Sequence, residues 1–156
     1  MKCVVIYFSQ TGNTEKIAKA IQVGVKQIAG TCDILSLKEA NPKILYEYDL
    51  IGLGSPVMEV EPPNVIVFIR NMRFVGGKHV FSFCTHLDMG FCYFPSIIPK
   101  LKEKGLIVIG WHDWYGTSFQ YPCPTPFLTD GHLDEIDLKE AEEFGREMVC
   151  SGIFSR

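Results

Sequence analysis

Short apolar segments alternate with segments of helical periodicity along most of the chain. The first apolar run, CVVIYF at residues 3–8, is continuous, as is typical of a parallel strand covered on both faces. From Thr14 the apolar residues recur at intervals of three and four up to Gly30, which predicts a helix over that range. Four further strands are predicted by apolar runs at residues 32–37, 48–53, 80–84 and 106–109.

Helical segments lie between these strands. Helices are predicted after Pro62-Pro63, where proline is favoured in the first turn, and around residues 96–104. The last helix is predicted to begin near Asp137, because Asp137 and Glu140 have the spacing of a capping box. Strands that alternate regularly with helices indicate a parallel sheet with helices on both faces. We therefore expect a three-layer α/β fold in a single domain spanning residues 1–156.

Residues 111–131 interrupt this alternation. The segment has no clear period and contains three prolines and six aromatic residues. A loop of this length without secondary structure of its own is usually functional or a misassigned element. Its aromatic residues either pack over the sheet edge as a second, smaller core or form a cover or docking surface beside a cofactor.

The composition excludes several classes of protein. The chain has 156 residues, of which 47% are hydrophobic and 21% charged, so we expect a folded domain and not a disordered chain. Its 15 Lys and Arg residues against 18 Asp and Glu residues leave a charge of −3, without the basic excess that nucleic-acid binding needs. The apolar runs are shorter than a membrane span, and the first is too short for a signal peptide. We therefore expect a cytoplasmic protein that binds neither nucleic acid nor membrane.

The cysteines and histidines do not indicate a metal or disulfide site. None of the six cysteines forms a C-x-x-C pair, which argues against a zinc ribbon, an iron–sulfur cluster or a redox dithiol. Cys3 and Cys84 lie in apolar strands, where a free thiol behaves as a small hydrophobic group. We expect buried thiols in a reducing compartment and no metal.

The segment Ser9–Thr14, SQTGNT, joins the first predicted strand directly to the first helix. In open parallel sheets, ligands bind beyond the carboxyl ends of the strands. The hydroxyl and amide groups of this segment donate hydrogen bonds, Gly12 permits close approach, and the N–H groups of the helix start attract an anion. The segment matches neither the nucleotide P-loop nor G-x-G-x-x-G. We therefore predict a phosphate-binding loop without a basic side chain.

The sequence YFSQTGNTE after the first strand resembles the FMN phosphate loop of the flavodoxin family. The resemblance covers almost the whole chain, with GSPVM at 54–58 at the second flavin loop and CTHLDMG at 84–90 at the third. The chain is also similar to the flavodoxin module of flavodoxin–ferredoxin fusions, without the ferredoxin part. Flavodoxin is itself a standard example of strand order 2-1-3-4-5 with FMN bound between the first and third strands. The resemblance therefore implies a doubly wound, five-stranded parallel sheet and FMN as cofactor.

The resemblance implies a role for each loop. The first loop would hold the FMN phosphate through Ser9, Thr11, Gly12, Asn13, Thr14 and the backbone of Gln10. The other two loops would flank the flavin ring through Ser55, Pro56, Val57, Met58, Thr85, His86, Leu87, Asp88 and Gly90. Asp88 either disfavours the anionic reduced flavin by charge repulsion or is a solvated carboxylate. Flavodoxins usually stack aromatic residues on the ring, and the second loop contains none. Either Met58, Phe91, Tyr93 or an aromatic of residues 111–127 stacks on the ring, or the loop leaves one ring face open, as a substrate would need and a pure carrier would not.

Three functions fit these features. The first is FMN-dependent transfer of low-potential electrons between a reductase and an acceptor, which dock transiently on a monomer or weak dimer. The second is a small FMN reductase of quinones or similar acceptors that uses a nicotinamide donor. The third is a non-redox module, since fold does not determine function. The C-x₅-R motif of a phosphatase does not occur at Cys84, and Phe8 and Ser9 stand where a phospho-receiver has acidic residues. We expect an electron carrier without a catalytic residue of its own.

Overall fold

The computed structural model describes residues 1–57, 63–87, 93–116 and 132–154. Within these ranges the strands are β1 (Cys3–Tyr7), β2 (Asp33–Ser36), β3 (Leu50–Val57), β4 (His79–His86) and β5 (Ile107–Tyr115). The α-helices there are α1 (Asn13–Ala29), α2 (Pro63–Asn71), α3 (Tyr93–Glu103) and α4 (Glu135–Phe154), with a 3₁₀ helix at Leu45–Glu47. None of these helices is both long enough and apolar enough to cross a lipid bilayer. The strands form a parallel sheet in the order β2-β1-β3-β4-β5, which confirms the predicted fold.

Helices cover both faces of the sheet because its strands are apolar on both faces. Val4 and Ile6 of β1 belong to the core under α2 and α3. Val5, between them, belongs to the core under α1 and α4 together with Phe81 of β4. Successive strand residues point to opposite faces, so an uninterrupted apolar run fills both layers at once.

Two glycines bring α1 and α4 into backbone contact. A Cβ atom on Gly24 of α1 would lie 1.8 Å from the carbonyl oxygen of Glu142. A Cβ atom on Gly145 of α4 would lie 2.3 Å from the carbonyl oxygen of Ile21. Because only glycine permits this approach, the position of α1 depends on its packing against α4.

The start of α4 differs from the prediction. The helix begins at Glu135, and the Asp134 carboxylate accepts hydrogen bonds from the N–H groups of Ile136 (2.7 Å) and Asp137 (3.0 Å). The Asp137 carboxylate accepts one in return from the N–H group of Asp134 at 3.0 Å. The capping box is therefore Asp134–Asp137, and the predicted pair Asp137–Glu140 was wrong by one turn. These backbone hydrogen bonds lower the pKa of Asp134.

Three strands extend further towards their carboxyl ends than the apolar runs predicted. β3 includes residues 54–57 and β4 includes residues 85–86, which the sequence had suggested for the flavin loops. β5 includes residues 111–115, which were predicted to be loop. Polar and proline residues remain in the sheet here because neighbouring strands pair with them, as Ser55 does with Cys84. Two of the three predicted loops therefore begin inside the sheet.

Candidate functional site

The carboxyl ends of β1, β3 and β4 lie side by side at one edge of the molecule. Tyr7 at the end of β1 pairs with Gly54 of β3, and Val57 at the end of β3 pairs with His86 at the end of β4. The strand order reverses direction between β1 and β3, which is where open parallel sheets bind ligands. The fold thus brings the polar loop after β1 next to the ends of β3 and β4.

Most of the predicted site residues meet at this edge. Those of the first loop, residues 9–14, connect β1 to α1. Ser55, Pro56 and Val57 form the last part of β3, and Thr85 and His86 the last part of β4, with Leu87 following. Met58, Asp88 and Gly90 lie outside the described residues.

The loop after β1 turns on a glycine. Gly12 has φ +92°, a left-handed conformation that L-residues rarely adopt, and its N–H group donates to Ser9 Oγ at 3.1 Å. A Cβ atom built on Gly12 would meet no atom of the described residues within 4 Å, so these residues leave the space beside the glycine open. Helical hydrogen bonding begins with Lys16 N donating to the Gly12 carbonyl at 3.1 Å. The N–H groups that precede Lys16 therefore belong to the first turn, which is the part of a helix that binds an anion.

Thr14 is tied to the sheet by its side chain. Its hydroxyl oxygen lies 2.8 Å from that of Thr85, and the two residues are 1% and 3% exposed. The hydroxyl predicted to hold phosphate is thus engaged inside the protein. Thr14 contributes its backbone N–H group to the helix start, and its side chain holds that start against β4.

Asn13 lies against the chain that follows β5. A Cβ atom on Gly116 would be only 2.8 Å from the Asn13 side-chain nitrogen, so the approach depends on glycine. The Gly116 N–H group also donates to the His86 carbonyl at 2.9 Å. The end of β4 and the chain after β5 are therefore held together beside the N-terminus of α1.

The charge of the first helical turn is balanced locally. Glu15 accepts a hydrogen bond from Lys19 at 2.6 Å, one turn further along the helix. Burial, followed by the charge of Glu15, raises the pKa of Tyr7. Because Lys19 neutralises Glu15, the positive end of the helix dipole remains available to an anion.

The residues of β3 at this edge are part of the packed sheet. Ser55 is fully buried, and its hydroxyl donates to the Pro56 carbonyl at 3.0 Å. A Cβ atom on Gly54 would lie 2.1 Å from the ring of Phe83 on β4, so this glycine makes room for a core side chain. The part of the second loop that the structure describes is therefore a buried strand end.

The side chain of His86 makes a close polar contact at this edge. Its Nε2 atom lies 2.7 Å from a carboxylate oxygen of Asp113 on β5, and its side chain is 5% exposed. Its ring lies 4.8 Å from that of Tyr115, which in turn lies 5.4 Å from the ring of His132. His132 is bonded to Asp137 at 3.0 Å, which joins the site to the start of α4.

A family model described as flavodoxin matches residues 5–145 of this chain. The chain belongs to the flavodoxin family. Among its relatives, an uncharacterized protein of Methanocaldococcus jannaschii, MJ0298, is 29% identical over 96% of this chain and 99% of its own length. A flavodoxin of Clostridium saccharobutylicum is 25% identical over 91% of this chain and 89% of its own. The structure of a flavodoxin from the domain Archaea has a TM-score of 0.75 at 20% identity, covering 98% of this chain and 99% of that one.

Flavodoxins bind FMN and transfer electrons with it, so FMN is the cofactor of this chain. The residues at the sheet edge fit such a group. The open space over Gly12 and the N–H groups of the first helical turn suit a phosphate, and the hydroxyl and amide side chains of the loop are neutral donors. Nδ1 of His86 is buried and has no hydrogen-bond partner among the described residues, so it is available to accept a hydrogen bond from a ligand. In the described ranges, no group of three or more His, Cys, Asp or Glu side chains is arranged to hold a metal ion.

The sequence analysis had suggested stacking residues for the flavin ring, and two of them are wrong. Tyr93 is 1% exposed and packs in the core between the sheet, α2 and α3, so it cannot reach a cofactor at the sheet edge. Trp114 is likewise core, with its ring 5.8 Å from that of Phe144 on α4. Trp111 is half exposed and lies on Phe94 of α3. Met58, Phe91 and residues 117–127 are outside the described ranges.

The sequence did not predict how three residues are placed beside His86. Asp113, Tyr115 and His132 follow His86 in a chain of contacts across β5 to α4. The contacts of Asp113 and Tyr115 were not predicted because residues 111–115 were expected to be loop, and Tyr115 was considered only as a candidate stacking residue. Only the pairing of β5 with β4 places Asp113 beside His86.

Proposed function

We propose that this flavodoxin carries low-potential electrons between a reductase and an acceptor protein, each of which docks only transiently. FMN supplies the electron-accepting ring when it is bound. The chain's own residues bind and orient it. The proposed phosphate contacts are the loop Ser9–Asn13 and the N–H group of Thr14, and the proposed ring contacts lie at 55–58, at 85–88 and at Gly90.

The single observation that carries this proposal is the junction of Thr14 with Thr85. It holds the helix start against β4, which supports a single ligand with its phosphate on the loop and its ring beyond β3 and β4. Adjacent strands are about 4.8 Å apart, so the ends of β1 and β4, two strand spacings apart, are separated by about 10 Å. A molecule of the size of FMN reaches across that distance.

The charges near this edge support low-potential transfer to partner proteins. Asp113, Asp134, Glu135 and Glu140 are exposed carboxylates on β5 and at the start of α4. Carboxylates oppose the negative charge that reduction adds to a cofactor, which lowers its reduction potential. They also steer a basic partner surface towards the same edge, and such contacts are small and short-lived.

The test begins with cofactor binding. Apoprotein is titrated with FMN and with riboflavin, which lacks the phosphate. A charge-assisted hydrogen bond contributes about 1.5–3 kcal/mol, so FMN is expected to bind at least about tenfold more tightly than riboflavin. Equal affinities would show that the loop does not hold the phosphate, and failure of both to bind would overturn the proposal.

The second step separates a carrier from an enzyme. The FMN-loaded protein is reduced stepwise by light while its visible spectrum is recorded, and in parallel it is mixed with a reduced nicotinamide alone. A carrier is expected to accept electrons in two separable one-electron stages and to react with the nicotinamide only after a reductase is added. Direct two-electron bleaching by the nicotinamide would instead establish the alternative, a small FMN reductase of quinones or similar acceptors.

A further inference from the structure

His86 holds an imidazole at the carboxyl edge of the sheet in a defined orientation. Its side chain is 5% exposed, and its Nε2 atom lies 2.7 Å from a carboxylate oxygen of Asp113. A carboxylate only accepts hydrogen bonds, so Nε2 carries the proton and donates it to Asp113. The Asp113 side chain is 47% exposed and remains in contact with solvent. The pair therefore assigns the tautomer of a buried histidine.

The second ring nitrogen of His86, Nδ1, makes no hydrogen bond with the described residues. This atom is also buried. A buried acceptor without a partner is rare, because its desolvation is uncompensated. With Nε2 protonated, Nδ1 presents a lone pair that can take a proton without breaking the contact to Asp113. The pair carries one net negative charge before such a step and none after it.

The titratable groups around His86 lie on several elements. Asp113 and Tyr115 face it from β5, and His132 with Asp137 lies beyond Tyr115 at the start of α4. On its own strand, Cys84 is the nearest titratable side chain. Burial, and after it the charge of Asp113, raises the pKa of Cys84 far above its usual range, so this thiol stays neutral.

We propose that Nδ1 of His86 takes up one proton when the bound FMN is reduced, so that the His86–Asp113 pair compensates the charge added to the cofactor. This inference rests on the proposed function. Reduction by two electrons with uptake of one proton on the cofactor leaves one additional negative charge at the site. A second proton, taken from solvent, binds Nδ1, and the pair changes from one net negative charge to neutral. In the test the electrons come from dithionite.

The expected size of the effect follows from distance. His86 ends β4, two strand spacings or about 10 Å from the end of β1, and we take about 10 Å as the distance over which charge added to a cofactor held at this edge would act on His86. A unit charge at about 10 Å, with an effective dielectric constant near 20, strengthens proton binding about tenfold. The midpoint of His86 titration should therefore rise by about one pH unit on reduction.

The experiment follows the histidine ring signals of the FMN-loaded protein by NMR as a function of pH. It is done once with the oxidised protein and once after complete reduction with dithionite under anaerobic conditions. The midpoint of His86 is expected to rise on reduction. His112 is the internal control, because it lies on the α4 side of β5 with its ring 5.6 Å from that of Phe144. Equal midpoints of His86 in the two states would overturn the proposal.

Proton uptake gives an independent readout. Reduction in weakly buffered solution with a pH indicator should consume more protons per FMN in the wild type than in His86→Gln, which keeps a donor for Asp113 but cannot titrate. His112→Gln should take up as many protons per FMN as the wild type. Asp113→Asn should shift the midpoint of the His86 NMR titration in both the oxidised and the reduced protein. Identical uptake in the wild type and His86→Gln would contradict the proposal. Absence of FMN binding would overturn the proposed function as well, whereas normal FMN binding with an unresponsive His86 would overturn this inference alone.

Discussion

The hydroxyl oxygens of Thr14 and Thr85 lie 2.8 Å apart, although the two residues are 71 positions apart in the sequence. Both are buried, and each hydroxyl is the hydrogen-bond partner of the other. The contact joins the first turn of α1, which faces the phosphate site, to the end of β4, which carries His86. The geometry of the site therefore depends on a hydrogen bond that need not touch the cofactor.

Replacement of either threonine by valine should destabilise the folded protein. Thr14→Val or Thr85→Val leaves one buried hydroxyl unpaired, and each should lower the free energy of unfolding by about 1–3 kcal/mol. The double variant should lose less than the sum of the two, because no unpaired hydroxyl remains. Urea unfolding of the four apoproteins measures this cycle. Strict additivity would show that the two hydroxyls act independently.

Gly12 should be required for its backbone conformation and not for lack of space. Gly12→Ala meets no atom within 4 Å but places a Cβ on a residue with φ +92°, which should destabilise the fold by about 1–2 kcal/mol. Gly30→Ala, at φ +81° with equal space beyond the other end of α1, is the matched control. Only Gly12→Ala should also weaken FMN binding, on the order of tenfold. Equal FMN affinities in the two variants would contradict a phosphate site at this loop.

The contact between α1 and α4 should be sensitive to a single methyl group. Gly145→Ala would place Cβ 2.3 Å from the backbone of Ile21, and overpacking of this kind costs about 1–3 kcal/mol. Gly152→Ala, on the same helix, would place Cβ 3.8 Å from Ile109 and should stabilise the protein by about 0.5–1 kcal/mol. Thermal and urea unfolding give both values. A neutral Gly145→Ala would mean that the two helices are not in backbone contact.

Stability should fall at alkaline pH. Burial raises the pKa of Cys3 from 9.0 to about 11 and that of Cys32 from 9.0 to about 12. Above pH 9.0 the unfolded chain loses thiol protons that the native state retains, so the free energy of unfolding decreases as pH rises towards 11. The measurement is the urea midpoint against pH in the presence of a reductant.

Two alanine variants test the origin of this pH dependence. Cys32→Ala should reduce the slope, because one buried thiol no longer contributes. Cys150→Ala, at an exposed cysteine, should leave the slope unchanged. The explanation fails if the slopes of the wild type and Cys32→Ala are the same.

Much of the fold could be predicted from local sequence patterns. The continuous apolar run of β1 predicted a buried parallel strand, because a strand covered on both faces has no polar face to alternate with. The periodicity of residues 14–30 predicted α1 to within a residue at each end. The ends of the strands were harder to predict, because Ser55, Pro56 and Thr85 are not apolar. Pairing with the neighbouring strand keeps these residues in the sheet.

By itself, the sequence determined the α/β fold, the polar loop after β1 and, through its resemblance to flavodoxins, the cofactor. These follow from interactions among residues close together in the chain: side-chain periodicity, a glycine turn and the N–H groups of a helix start. The tertiary structure alone decided that Thr14 bonds Thr85, that Asp113 orients His86 and that Tyr93 is core. Each of these depends on which strands become neighbours and in what register, and register is set by the packing of the whole sheet against its helices.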